Sequence, residues 1–132
     1  MNHQAQKNNS SPAELLSQMP KADRDNLLDS LSDTALDALK YSWDFMGRPK
    51  QLTPPGDWRI WLIMAGRGFG KTRTGAEWIR GLVESGEAKR VALVGRTAAD
   101  VRDVMAEGPS GLIPIATPSM RPKYEPSKRR LI

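Results

Sequence analysis

The apolar positions of this chain change their period twice. Residues 1–10, MNHQAQKNNS, are polar throughout and show no repeat, which predicts a disordered tail. From Ser11 a helical rhythm sets in. Ser11, Pro12 and Glu14 form the signature of a capped helix start. Leu27, Leu28, Leu31, Leu36 and Leu39 form an apolar stripe at helical spacing. Asp33 near one helix start and Lys40 near its end suit the helix dipole. The pattern predicts helices over 12–19, 21–31 and 32–47, a helical lead-in spanning 11–47. The stretch GRPKQLTPPG, residues 47–56, holds three prolines and two glycines and reads as a connecting loop.

Beyond that loop the rhythm is lost. WRIWLIM, residues 58–64, is apolar almost throughout and rich in β-branched and aromatic residues, as in a strand covered on both faces. Residues 71–85 return to helical spacing, with Thr72, Ala76, Ile79 and Val83 on one face and Gly86 as the stop. Arg73, Glu77, Arg80 and Glu84 lie elsewhere on this helix, spaced to form ion pairs. RVALVG, residues 90–95, is a second apolar run without alternation. Thr97 then caps another helix, with Val101, Val104 and Met105 expected to face inward. Strand, loop, helix, strand and helix make a βαβα core. The predicted class is therefore α/β with a parallel sheet, its crossover right-handed. The closing stretch from residue 107 is proline-punctuated and then basic. Its last four residues, RRLI, look like the opening of a strand.

Composition narrows the functions available. The 132 residues contain no cysteine, which excludes disulfides and thiolate metal sites. The one histidine, His3, is given no role. No apolar run approaches the roughly 20 residues a membrane span needs, and the first fifteen residues lack the apolar core of a signal peptide. A cytoplasmic protein without a membrane partner is expected. The net charge of +5 is unevenly placed. Residues 1–50 carry six Lys/Arg against seven Asp/Glu, giving −1, and residues 51–132 carry fourteen against eight, giving +6. The basic part suits a phosphate-rich partner, nucleotide or nucleic acid.

That part also holds AGRGFGKT, residues 65–72, between the first strand and the helix. It satisfies the looser form of the phosphate-binding loop, with alanine in the first position. Gly66, Gly68 and Gly70 let the backbone curl so that successive N–H groups converge on one anion. The helix that starts near Lys71 adds its positive end. Lys71 brings a point charge to the terminal phosphates, and Thr72 brings a hydroxyl to Mg²⁺. Ala65, Gly66, Arg67, Gly68, Phe69, Gly70, Lys71 and Thr72 are thus the expected nucleotide site, with ATP and Mg²⁺ as its ligands. Arg67 reads equally well as an exposed loop arginine or as a finger that stabilises transition-state charge. Hydrolysis also needs an acidic residue at a strand end. The second strand ends in Gly95, and Asp57, Asp100 and Asp103 are not placed for that task. A kinase or helicase with the same loop, or a non-catalytic remnant that binds nucleotide or a partner, remain alternatives.

The blocks RPKQLTPPGDWRIWLIMAGRGFGKTRTGAEWIRGLV, RVALVGRTAADVRDVMAEGPSGLI and YEPSKRRL together resemble the start of the large terminase subunit of tailed phages and gene transfer agents, over about residues 40–132. The resemblance implies a P-loop ATPase that pumps double-stranded DNA into procapsids in a bacterial host, followed by a nuclease domain. It makes residues 48–132 the N-terminal part of that ATPase domain. It implies catalytic roles for Arg67 and Lys71, Mg²⁺ held through Thr72, and adenine recognition by Gln51, whose amide can both donate and accept. It further implies a capsid portal and a small terminase subunit as partners, with a homo-oligomeric ring formed by the full-length protein. The acidic Walker B strand and the nuclease are not seen before Ile132, so the chain is expected to be a fragment, inactive as a motor.

Overall fold

The computed structural model describes residues 9–132. Most of the expected tail, residues 1–8 with His3, lies outside the described residues. The chain divides near Pro54 into two compact units.

The first unit is helical and each helix is started by local chemistry. In α1 (Pro12–Ser17) the Ser11 hydroxyl accepts from the Glu14 N–H at 3.1 Å, and the Glu14 carboxylate accepts from the Ser11 N–H at 2.9 Å. α2 (Lys21–Asp29) begins after Pro20. α3 (Asp33–Tyr41) is capped by Ser32, whose hydroxyl accepts from the Ala35 N–H. The third expected helix is broken at Ser42. This residue leaves helical geometry and caps a new short helix, α4 (Trp43–Met46), through the Phe45 N–H. A serine in mid-pattern offers the backbone a second helix start, and here that alternative wins. No residue of α1 to α4 is fully buried, and Leu27 in the leucine stripe is exposed. The unit closes with a 3₁₀ turn, Pro49–Gln51, which buries Gln51.

The second unit is built around α5 (Lys71–Glu84), α6 (Ala98–Asp100) and α7 (Leu112–Ile115). Thr97 caps α6 as expected, its hydroxyl accepting from the Asp100 N–H at 3.0 Å. A π-helical turn, Val101–Ala106, continues it and ends with the Glu107 N–H donating to the Arg102 carbonyl. α5, this turn and α7 lie against one another. Their buried apolar core is small: Ala76, Ala106, Ile115 and Ala116. Gly86 ends α5 in the left-handed region, φ 79°, as the sequence predicts.

The face of α5 that carries Thr72, Ala76, Ile79 and Val83 is only partly covered. Thr72 and Val83 are exposed, whereas Thr74, Ala76 and Glu77 are buried. Val104, expected to face inward, is also exposed. Among the described residues the only ladder is antiparallel, between β1 (Tyr124–Glu125) and β2 (Arg130–Leu131), with Tyr124 opposite Leu131. β2 falls where RRLI predicted a strand to open. Residues 58–64 and 90–95 are non-helical and pair with no strand among the described residues. In the first of these runs exposure alternates, with Ile60, Leu62 and Met64 pointing outward at 85%, 74% and 84% exposure. A cleft of about 970 Å³ lies beside the second run, lined by Val91, Leu93 and Val94 and by Ile79 and Val83 of α5.

Candidate functional site

The site is assembled where the extended segment 58–64 gives way to α5. Gly68 and Gly70 take φ of 83° and 91°, the left-handed region that side chains with a Cβ rarely enter. Their freedom turns the chain sharply enough to bring Lys71 back over the start of its own loop. The Lys71 ammonium donates to the Ala65 carbonyl at 2.7 Å and to the Gly66 carbonyl at 2.9 Å. One cation therefore ties the first two residues of the loop to the first residue of the helix.

Gly70 is the residue before α5 and offers no side-chain cap, and the first turn contains no acidic residue. The positive end of a fourteen-residue helix thus has no side-chain cap and no carboxylate in its first turn. Such an end favours an anion supplied from outside. Arg67 and Thr72 are exposed, and Phe69 is half-buried. The loop therefore carries two cations, Arg67 and Lys71, and a solvent-facing hydroxyl within six residues.

Gln51 lies in the first unit and the loop in the second. Its Oε1 accepts from the Arg48 N–H at 3.0 Å and from Arg48 Nε at 3.3 Å, and its carbonyl accepts from the Trp43 indole. Asp100 faces Arg96 at 3.7 Å. Asp103 is hydrogen-bonded to Arg102, which holds its carboxyl below the usual carboxylate range despite the opposing effect of burial, and Asp103 in turn raises Arg102. Both aspartates serve local ion pairs. Among the described residues no group of three or more His, Asp or Glu is arranged to hold a metal.

Sequence spacing missed two features of the site's surroundings. The first is the burial of Glu77. Arg73 reaches its Oε1 at 2.7 Å and Arg80 its Oε2 at 2.7 Å, each through a forked guanidinium, and Arg80 continues to Glu84 at 3.4 Å. The i,i+3 and i,i+4 spacing announced these pairs but not that their centre is shielded from water. The second is a triangle of tryptophans. Trp58, Trp61 and Trp78 stand with ring centroids 5.9–6.0 Å apart. Indole-rich composition on both sides of the loop was the available signal.

Residues 62–132, 71 of the 132, match the family model described as terminase large subunit, T4likevirus-type, N-terminal. The chain belongs to this family. The match begins inside the extended segment and takes in the glycine loop, α5 and the β1–β2 hairpin. Membership assigns the chain to the phage DNA-packaging proteins. No curated protein and no solved structure matches it. Among the described residues no helix is long and apolar enough to cross a membrane.

Proposed function

We propose that the chain binds ATP with Mg²⁺ through Ala65–Thr72, as the nucleotide-binding part of the motor that drives double-stranded phage DNA into procapsids. The observation that carries this reading is Lys71 folded back onto Ala65 and Gly66 at the uncapped start of α5. A loop held in this curl presents its N–H groups and the helix end toward one point, and Lys71 neutralises the charge that collects there. Incoming phosphate oxygens replace the two carbonyls as acceptors for Lys71. Thr72 supplies its hydroxyl to the metal, and Arg67, free of burial, leans toward the terminal phosphate. Mg²⁺, when bound, neutralises phosphate charge and polarises the phosphoryl group.

In this reading residues 58–64 and 90–95 are strands of a P-loop-type parallel sheet, and Gln51 reads the adenine edge. Family membership extends the proposal to its partners: DNA, the capsid portal, a small terminase subunit and further copies in a ring, all in the host cytoplasm. Titration calorimetry with ATP·Mg²⁺ tests the core of it. Lys71→Ala removes a charge-assisted contact, so affinity falls by about ten- to a hundredfold. Equal affinity in the two proteins, or no heat from either, overturns the reading.

A further inference from the structure

We propose that Trp58, Trp61 and Trp78 form a clamp that positions the glycine loop by fixing the separation of its two arms. The inference rests on the nucleotide-binding reading and names what holds that site in shape. Trp58 and Trp61 precede Ala65 by seven and four residues, and Trp78 follows Thr72 by six. Each ring lies within 6.0 Å of the other two, at interplanar angles of 61°, 41° and 87°. These are edge-on and tilted geometries in which the positive edge of one indole meets the negative face of the next. The triangle therefore closes the loop at its base, as the Lys71 bonds close it at its mouth.

The rest of the second unit gives the clamp little help. Residues 58–64 have no ladder to hold them beside α5 among the described residues. The buried apolar side chains of the unit are three alanines and one isoleucine. Three indoles are the largest apolar groups spanning the two arms. Thr74, one turn before Trp78 on the same helix face, is fully buried, so this end of α5 is the covered one. An open triangle would let Ala65 drift from Lys71 and scatter the N–H groups that must converge on one anion.

Two measurements on the whole chain test this. The first is hydrogen exchange of the amides of residues 65–72 without nucleotide, and the second is ATP·Mg²⁺ titration. Trp78→Ala removes two of the three ring pairs. Loop exchange should quicken about tenfold and nucleotide affinity fall by a similar factor, while far-ultraviolet circular dichroism keeps its helical signal. Trp78→Phe, which keeps an aromatic edge and face, should restore most of both. Should Trp78→Ala fail to fold, Trp61→Leu takes its place with the same readouts. Loop exchange unchanged by the loss of an indole, or equally fast in the phenylalanine variant, overturns the clamp. If the wild-type chain takes up no nucleotide but loop exchange still follows the indoles, the clamp stands and the nucleotide reading falls.

Discussion

The two arms of the glycine loop are held in opposite ways. The downstream arm, α5, is self-sufficient. Its backbone bonds close within the helix, its charges meet at three- and four-residue spacing, and Glu77 gathers Arg73 and Arg80 around one carboxylate. The upstream arm, residues 58–64, is extended and pairs with no strand among the described residues. An extended segment satisfies its N–H and C=O groups only against chain that is distant in sequence or against water, and Ile60, Leu62 and Met64 stand exposed along one side of it. In the proposed clamp the helix supplies the site's rigidity, and the extended arm borrows it through the tryptophans.

The largest effect is expected from breaking the stiff arm. Glu77→Ala removes the acceptor of two guanidiniums from beside Arg80, whose side chain is only 11% exposed and keeps Glu84 at 3.4 Å. Removing one partner of a buried ion pair costs about 3–5 kcal/mol. The lower end applies because Arg80 keeps Glu84 and Arg73 reaches water. Urea unfolding measures it, and a loss below about 1 kcal/mol would mean that the network is as weak as an exposed one.

A smaller cost is expected at the joint between the arms. Gly68 sits at φ 83°, and a methyl group built there meets nothing within 4 Å. Gly68→Ala therefore tests backbone conformation with no steric clash to confuse it. The left-handed region costs an alanine about 1–2 kcal/mol, seen as a fall in unfolding free energy or as a loop that relaxes out of its curl. In the second case stability is kept and nucleotide affinity is lost.

The same contrast explains what was legible in the sequence. The caps at Ser11 and Thr97 and the stop at Gly86 were readable because each is settled within three or four residues. The glycine loop was readable for the same reason: Gly68, Gly70 and Lys71 arrange one another. Ser42 was readable as a cap only in hindsight, because apolar residues run on past it at Trp43, Phe45 and Met46. Burial was the harder quantity. Thr72, Val83 and Val104 fall on an apolar stripe yet are exposed, and Glu77 falls off it yet is buried. Which face of a short helix is covered depends on partners such as α7 and the π-turn, which no local pattern names. The tryptophan triangle joins residues up to twenty apart in sequence, and it too lies beyond local reading.

The smallest effect is expected on the exposed side of the soft arm, and it bears most directly on how that arm is held. Leu62 is 74% exposed, between Trp61 and Ile63, which are half-buried. A side chain that already faces water loses little burial on substitution, so Leu62→Ser should change the unfolding free energy by no more than about 0.5 kcal/mol. Its effect should appear in self-association instead. A row of exposed apolar side chains on an extended segment is a template for edge-to-edge contact, and one polar residue in the row interrupts it. Sedimentation at increasing concentration should show less association for Leu62→Ser than for the unaltered chain. A loss of several kcal/mol would show that this side of the arm is covered in solution and that the upstream arm owes its place to sheet neighbours as well as to the indoles.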